Sequence, residues 1–220
     1  MKKGFTLAEV LITLAIIGVV AALTIPTVVN NYQKQALYTQ FMKMYNTLQT
    51  AMQLAMIDHG SPATWDFTLE RKDFIDRYIA SYVKNQGYNE DYKNSEDIHV
   101  KDFTGQDRGT AKQLVTYYSM PDFLILDDGG AISMTAFISS RKRASLFVDV
   151  NGVEKGPNTV GRDMFIIRYG YDMENNKPAV GNFDDIEGNE EGCCSISGSC
   201  SGVRGETCGM KLLREGKMNY

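Results

Sequence analysis

The feature that most constrains this chain is a predominantly apolar run near its N-terminus, from Phe5 to Ile25. As an α-helix this run would be about 32 Å long, which matches the roughly 30 Å hydrocarbon core of a bilayer. Lys2 and Lys3 come directly before it, and positive charge at the end of a span favours the cytoplasmic side for that end. We therefore expect a single span of the cytoplasmic (inner) membrane, with the N-terminus cytoplasmic and the C-terminal domain periplasmic or extracellular.

The helical pattern continues beyond this span. Apolar side chains recur at the alternating spacings that mark one face of a helix, and they are Tyr38, Phe41, Tyr45, Leu48, Met52 and Ala55. One long helix is predicted from Phe5 to about Asp58, apolar on all sides over residues 5–26 and amphipathic over residues 27–60. A secretory signal peptide is disfavoured, because such a signal has a shorter apolar region followed by a small-residue cleavage site.

Glu9 is an acidic residue inside the apolar run. A carboxylate at that depth is costly unless it is paired, which marks a functional site. The alternative is that Glu9 reaches the headgroup region from the end of the span. Gly18 lowers helix propensity and Pro26 removes a backbone hydrogen bond, so residues 18–26 are expected to be the weakest part of the helix.

Glu9 belongs to an ordered motif, Lys3-Gly4-Phe5-Thr6-Leu7-Ala8-Glu9-Val10-Leu11-Ile12. This motif resembles the processing site of type IV prepilins and type II secretion pseudopilins. That site has a short basic leader ending in Gly, then Phe, then Glu at the fifth position after the cut. Gly18 and Pro26 also match positions that the family uses within its helix. The strong resemblance covers about residues 1–60.

The resemblance implies that prepilin peptidase cuts between Gly4 and Phe5, removes residues 1–4 as a cytoplasmic leader, and N-methylates Phe5. It implies that the subunit then polymerises through its helix with other pilin or pseudopilin subunits, at a membrane assembly platform. Glu9 would pair with the Phe5 amine of a neighbouring subunit, and residues 18–26 would either lose helicity during assembly or stay as a static kink. The implied function is a structural subunit of a type II secretion or type IV pilus-like filament, not an enzyme.

Residues 61–220 are expected to form an extracytoplasmic α+β domain. A second helix is predicted at about residues 69–85, followed by a long loop over residues 86–110. Strands are predicted at residues 123–126, 131–137, 145–150 and 164–169, and a turn at Asp127–Gly130 joins the first two into a hairpin. Helices followed by antiparallel strands are typical of the α+β class, and the sheet is expected to pack on the amphipathic half of the long helix. This order agrees with the pilin-like fold that the resemblance implies.

All four cysteines lie in the C-terminal tail, residues 190–220, at Cys193, Cys194, Cys200 and Cys208. No histidine is near them, and the adjacent pair does not give the paired spacing of tetrahedral zinc sites. Two disulfides in a loop-rich tail are therefore expected, with their connectivity open. Disulfides indicate an oxidising compartment outside the cytoplasm.

A polar loop between two predicted strands offers oxygen ligands from Asp149, Asn151, Glu154, Asn158 and Asp163. Calcium takes such ligands, and some pseudopilins have a calcium site in a loop between late strands. Asp149, Asn151 and Asp163 are therefore candidate calcium ligands. The spacing is not that of an EF-hand, and the alternative is a pair of Asx turns, in which Asp and Asn bond their own backbone.

Residues 61–220 carry six more acidic than basic side chains, which disfavours nucleic acid as a partner because phosphate contacts need clustered Lys and Arg. A local basic run lies at Arg141-Lys142-Arg143. Two alternatives to a filament subunit stay open. One is a competence-type pilin involved in DNA uptake, and the other is a binding or enzymatic domain on a single-pass anchor. No common nucleophile or nucleotide-binding motif supports catalysis.

Overall fold

The computed structural model describes residues 4, 6–90, 92, 95–152, 154–181, 193–195, 203, 205 and 207–220. Its first element is a long helix, α1, from Leu7 to His59, which confirms the predicted long helix. The chain divides into two compact units, Met1–Ala36 and Leu37–Tyr220. The boundary lies inside α1, so this one helix contributes to both units.

The first unit consists mainly of the N-terminal part of α1. Its large apolar side chains are exposed, and they include Leu7, Leu11, Ile12, Leu14, Ile17, Val20, Leu23 and Ile25. Exposed apolar surface costs about 25 cal/mol per Å² in water, so this segment calls for an apolar environment. Among the described residues, α1 is the one helix that is long and apolar enough to cross a membrane.

The second unit adds shorter helices and a sheet to the C-terminal part of α1. The described helices are α2 (Arg71–Tyr78), α3 (Ala111–Tyr117) and α4 (Cys208–Glu215). The described strands are β1 (Asn85–Asn89), β2 (His99–Asp102), β3 (Asp107–Thr110), β4 (Phe123–Leu126), β5 (Ala131–Ile138), β6 (Arg143–Asp149), β7 (Thr159–Val160), β8 (Met164–Asp172) and β9 (Lys177–Gly181). Single 3₁₀ turns lie at Pro62–Thr64, Ala80–Tyr82 and Ser139–Arg141.

The strands form one antiparallel-rich sheet. Its order is β1-β4-β5-β6-β8-β7-β2-β3, and β9 also pairs with β8. The short strand β7 runs parallel to both of its neighbours, β2 and β8, while the other pairs are antiparallel. A long N-terminal helix, this sheet and a disulfide-bonded C-terminal tail make up the α+β, pilin-like fold that the sequence predicts.

One face of the sheet packs on the C-terminal part of α1. Phe41 and Leu48 of α1 are fully buried, and the Phe41 ring lies 4.7 Å from the ring of Phe165 in β8. Met52 is also buried, whereas Tyr45 is only partly buried at the edge of this core. The predicted packing of the sheet on the amphipathic half of the helix is confirmed.

The opposite face of the sheet carries a second, smaller core. Side chains alternate between the two faces of a strand, so Leu146 of β6 lies in the α1 core while its neighbour Phe147 lies in the other. Helix α3 covers part of this second face with Leu114 and Val115. The centre of the sheet is therefore buried on both sides.

The predicted strands at residues 123–169 are confirmed, but the predicted loop over residues 86–110 is wrong. That segment holds β1, β2 and β3. β1 is polar because it pairs with β4 through the backbone at the end of the sheet and needs no apolar alternation. The β2–β3 hairpin closes around Asp102, a fully buried carboxylate, so its stabilising interactions are polar and do not appear as hydrophobic periodicity.

The helix predicted at residues 69–85 is shorter than expected. It ends at Tyr78, and a 3₁₀ turn follows at Ala80–Tyr82, because Ile79 leaves the helical conformation at φ −133° and ψ −59°. Helices α3 and α4 and strands β7 and β9 were not predicted. α3 has seven residues and β7 has two, which is too short for a periodic pattern.

The C-terminal tail contains a disulfide between Cys194 and Cys208, with a Cα–Cα distance of 4.9 Å. Cys193 is also disulfide-bonded, and Cys200 lies outside the described residues. The tail was expected to be rich in loops, yet Cys208 begins helix α4. Gly209 and Leu212 of that helix face the core: Leu212 is fully buried, and a Cβ added at Gly209 would lie 3.3 Å from the Phe41 ring.

Candidate functional site

The candidate site begins at the first turn of α1. Glu9 Oε2 accepts hydrogen bonds from Thr6 N at 2.8 Å and from Thr6 Oγ1 at 2.7 Å. In return, Glu9 N donates to Thr6 Oγ1 at 3.3 Å. Because Leu7 is the first helical residue, Thr6 is the N-cap and Glu9 the third residue of the helix. This is a capping box, which satisfies backbone N–H groups that the first turn leaves without helical partners.

The capping box gives Glu9 a local role that the sequence reasoning missed. The Thr6-Leu7-Ala8-Glu9 stretch has the Thr-x-x-Glu spacing that signals a capping box ahead of an apolar helix. A negative charge in the first turn is also favoured by the helix dipole. The carboxylate is exposed, so its binding to Thr6 leaves it accessible to a further partner.

Gly4 lies just ahead of this box, and Phe5 lies outside the described residues. Gly4 is exposed, and a Cβ added to it would meet nothing within 4 Å. A larger residue at this position therefore clashes with none of the described residues.

Gly18 and Pro26 are exposed positions in α1, and the helix continues through both. Pro26 has no N–H to donate to the carbonyl four residues earlier. Along the helix axis, Gly18 is about 14 Å and Pro26 about 26 Å from Glu9. These positions therefore lie along one exposed helical segment, and a loss of helicity during assembly stays a prediction.

The predicted calcium ligands Asp149 and Asp163 lie at the two ends of the β6–β8 connection, and both are fully buried. Asp149 Oδ1 accepts from Gly152 N at 2.8 Å. Asp163 accepts from Asn158 N at 2.7 Å and from Thr159 N at 2.6 Å. Both carboxylates therefore bind the loop backbone. Asp149 does so in an Asx turn, since its Oδ1 also accepts from Asn151 N at 3.2 Å. Asp163 instead accepts from amides that precede it in the chain, so the Asx-turn alternative to calcium fits Asp149 alone of these two.

Burial and mutual repulsion favour neutralisation of the negative charges on Asp149 and Asp163. Burial raises the pKa of Asp149 to about 7, and the nearby charge of Asp163 adds to the effect. Burial likewise raises the pKa of Asp163 to about 6, although backbone hydrogen bonds oppose it. A cation would relieve the same repulsion as a proton.

Asn151 adds a side-chain oxygen suited to a cation, since its buried Oδ1 has no hydrogen-bond partner among the described residues. However, no cluster of three or more His, Cys, Asp or Glu side chains is arranged for a metal within the described part of the chain. The Asp149, Asn151 and Asp163 oxygens are thus compatible with calcium, and calcium binding stays a prediction.

The basic run Arg141-Lys142-Arg143 does not form a continuous exposed patch. Arg143 begins β6 and is 5% exposed, while Arg141 is exposed in the preceding 3₁₀ turn. Lys142 sits between them at φ 51°. This geometry does not present three adjacent cations to a phosphate backbone.

Residues 1–25 match the prokaryotic N-terminal methylation motif. The motif at the head of a long apolar helix, followed by an antiparallel-rich sheet, supports a type IV pilin-like or pseudopilin protein. Over 65 residues the chain is 32% identical to prepilin peptidase-dependent protein D of Escherichia coli (strain K12). This alignment covers 30% of the chain and 44% of that relative, so it spans less than half of the relative's length. No solved structure matches the chain.

Proposed function

We propose that this chain is a structural, non-enzymatic subunit of a type II secretion or type IV pilus-like filament. Prepilin peptidase would cut it between Gly4 and Phe5 and methylate the new N-terminus. The observation that carries the proposal is the methylation motif over residues 1–25, directly at the head of a 53-residue helix with Glu9 in its first turn. The relative's name, which states dependence on prepilin peptidase, supports the same processing step.

Before assembly, the N-terminal part of α1 would anchor the subunit in the cytoplasmic membrane with its N-terminus on the cytoplasmic side. The domain formed by residues 37–220 would then lie in the periplasm or outside the cell. Exposed apolar side chains over the first unit support the anchor. The Cys194–Cys208 disulfide supports an oxidising compartment for the domain.

Assembly would exchange the partners of Glu9. In the free subunit, Thr6 holds the carboxylate. Cleavage after Gly4 creates an α-ammonium group on Phe5, and in a filament this group can reach Glu9 of a neighbouring subunit. Removing one partner of a desolvated ion pair costs about 3–5 kcal/mol, enough to select the correct register.

The apolar surface of α1 would then supply the packing. Lipid gives helices no hydrophobic drive to associate, whereas transfer toward water does. Leu7, Leu11 and Leu14 would become buried between helices in the filament. The ion pair would thus set the register, and the apolar contacts would supply most of the stability of the filament.

Two substitutions of Glu9 test this mechanism. Glu9→Val removes both the charge and the capping box, while Glu9→Gln removes only the charge, because Gln also serves at the third position of a capping box. Both variants are expected to insert into the membrane and to lower the sheared filament fraction at least about tenfold. Quantitative immunoblots of membrane and filament fractions measure this.

Asp58→Asn is the matched control, since Asp58 and Glu9 are the two acidic residues of α1. The control should assemble as the wild type does. If Glu9→Gln also assembles normally and only Glu9→Val fails, the capping box rather than the ion pair is what assembly requires, and the pairing mechanism is wrong.

A further inference from the structure

The exposed apolar part of α1 has polar residues at both of its ends. Between Glu9 and Asn30, the 20 residues from Val10 to Val29 contain no charged side chain. Their large apolar side chains are exposed along the whole segment, from Val10 at 42% to Val29 at 46%. This segment therefore offers a continuous apolar surface to lipid.

Two threonines within the segment bind the helix backbone. Thr13 Oγ1 donates to Val10 O at 2.9 Å, and Thr24 Oγ1 donates to Val20 O at 2.9 Å. Hydrocarbon contains no hydrogen-bond acceptor, so a polar group at that depth needs a partner within the protein. Both hydroxyls are therefore compatible with a position inside the hydrocarbon.

The length of the segment matches a bilayer, because a helix of 20 residues is about 30 Å long and the hydrocarbon core is about 30 Å thick. The run expected from composition, Phe5 to Ile25, has nearly the same length. Length alone therefore does not distinguish these two spans. The polar groups at the two ends of the apolar surface do.

At the N-terminal end, the first turn of α1 needs a polar environment. Glu9 N donates to Thr6 Oγ1 at 3.3 Å, and Val10 N donates to Thr6 O at 3.2 Å. The capping box gives no acceptor to the amides of Leu7 and Ala8, which are the first two helical residues. Unpaired amides and a carboxylate are both strongly disfavoured in hydrocarbon. The first turn therefore belongs in the headgroup region, and the hydrocarbon begins at about Val10.

At the other end, the residues after Val29 suit the second interface. Asn30 and Asn31 follow it, and then Tyr32, which is 75% exposed, and Lys34. Tyrosine is enriched at the boundary between membrane and water, because its ring is apolar and its hydroxyl is polar. Lysine extends its apolar stem along lipid and keeps its ammonium group at the headgroups.

The spacing of these two side chains agrees with the depth of the headgroup region. At 1.5 Å per residue, Tyr32 lies about 4.5 Å and Lys34 about 7.5 Å beyond Val29 along the helix axis. The headgroup region on each side of a bilayer is about 5–8 Å deep. The Tyr32 ring therefore lies within this region, and Lys34 lies at its outer limit.

We propose that α1 spans the bilayer from about Val10 to Val29, and that Tyr32 and Lys34 are its lipid-headgroup contacts on the outer side. The Tyr32 ring packs at the boundary of the acyl chains, and the Lys34 ammonium binds lipid phosphate. This inference rests on the membrane anchor of the proposed function and adds its depth. It places Gly4 outside the hydrocarbon, where a peptidase on the cytoplasmic side reaches the backbone.

Single cysteines in the full chain test this register. Val28 lies inside the hydrocarbon in the proposed span and outside it in a span from Phe5 to Ile25, so Val28→Cys decides the outer boundary. Ala8→Cys decides the inner boundary by the same reasoning. Membranes freed of sheared filaments are treated with a membrane-impermeant maleimide, on the outer side in spheroplasts and on the inner side in inverted vesicles. Mass spectrometry measures the labelled fraction.

Val28→Cys is expected to label at least about tenfold more slowly than Gln33→Cys, because the reactive thiolate does not form in hydrocarbon. Ala8→Cys is expected to label from the cytoplasmic side. Val19→Cys, at the middle of either span, is the protected reference.

The headgroup contacts are tested by their removal. In a chain that carries both Tyr32→Ala and Lys34→Gln, the helix is expected to slip toward the cytoplasm, and Asn31→Cys should label at least about threefold more slowly. Tyr32→Trp alone should keep the wild-type rate, because tryptophan serves equally in the aromatic belt. Gln33→Ala is the matched control, since it lies between the two contacts and removes neither ring nor charge.

The register is overturned if Val28→Cys labels as fast as Gln33→Cys, or if Ala8→Cys is protected on the cytoplasmic side. The headgroup contacts are overturned if the double variant of Tyr32 and Lys34 labels at Asn31→Cys as Gln33→Ala does. A chain that is absent from the membrane fraction contradicts the membrane anchor itself, so failure of the proposed function is distinguishable from failure of the register.

Discussion

Backbone amides hold several of the acidic side chains that matter in this protein. Glu9 accepts from Thr6 N, Asp149 from Gly152 N and Asp163 from Thr159 N. Asp102 accepts from Gln106 N at 3.1 Å and also binds the guanidinium of Arg108 at 2.7 Å. A hydropathy pattern contains no signal for such bonds. Local spacing does contain one at Glu9, where Thr6-x-x-Glu9 is the spacing of a capping box.

The opposite pKa shifts of these residues follow from burial set against hydrogen bonding. Burial raises the pKa of Asp102, but bonds from Thr104, Arg108 and Gln106 outweigh it, so the pKa of Asp102 lies below its ordinary value. At Asp149 the effect of burial outweighs the hydrogen bonds, and the pKa rises to about 7. One domain therefore contains carboxyls that titrate on either side of their usual range.

The raised pKa values predict an unusual dependence of stability on pH. Asp149 titrates near 3.8 when unfolded and at about 7 when folded, so between those values the folded state binds more protons than the unfolded state. The free energy of unfolding should therefore rise as pH falls from about 8 to about 5. Urea unfolding of the full chain in detergent, with a calcium chelator present, measures this.

Asp149→Asn should flatten that dependence, whereas Asp97→Asn, at an exposed aspartate, should leave it unchanged. A wild-type stability that falls steadily from pH 8 to pH 5 would contradict the burial of an ionisable pair.

Urea unfolding with calcium added in place of the chelator tests the predicted calcium ligands. Calcium that binds Asp149, Asn151 and Asp163 raises stability at the high-pH end, and Asp149→Asn removes the gain.

Among the secondary-structure elements, those with strong periodicity were predictable from the sequence. The long helix, the β4–β5 hairpin, β6 and β8 have repeating apolar positions over a sufficient length. The β1–β3 segment, α3 and α4 have short or polar sequences, and their structure depends on partners distant in sequence. β1, for example, forms because β4 offers a backbone edge to it.

The Cys194–Cys208 disulfide is predicted to stabilise the attachment of α4. The two cysteines are 14 residues apart, and closing a loop of about that length contributes about 3 kcal/mol in the chain-entropy description. Replacing both with Ala should lower the free energy of unfolding by about that amount, as measured by urea unfolding. Arg214→Ala, at an exposed position on α4, is the control and should change little. An unchanged midpoint in the double variant would show that packing of Leu212 alone holds α4.

At the scale of the whole molecule, one helix contributes to two compact units. The sequence places the domain boundary near residue 60, at the end of the helix. The second compact unit spans Leu37–Tyr220, and it includes the apolar face of the helix from Phe41 to Ala55, which is part of the domain core. The amphipathic pattern predicts this packing, but it does not indicate at which residue the compact unit begins.

The candidate processing site was predictable because its motif is continuous in sequence, from Lys3 to Ile12. Thr6 was missed, although its spacing from Glu9 was visible. The hydrogen bond from Tyr92 to Asp149 at the candidate calcium site could not be predicted, since the two residues are 57 positions apart in sequence and the fold alone brings them together. Motifs that are continuous in sequence therefore indicate the candidate processing site. Contacts between residues that are distant in sequence become visible only in the folded structure.

The most direct test of the account is the intact mass of the chain purified from membranes, with sequencing of its N-terminus. The account predicts a chain that begins at Phe5 and carries one added methyl group. Gly4→Leu should retain residues 1–4, while Gly18→Ala, at an open helical position, should be processed normally. A wild-type chain that still begins at Met1, or a Gly4→Leu chain that is cut like the wild type, would contradict the account.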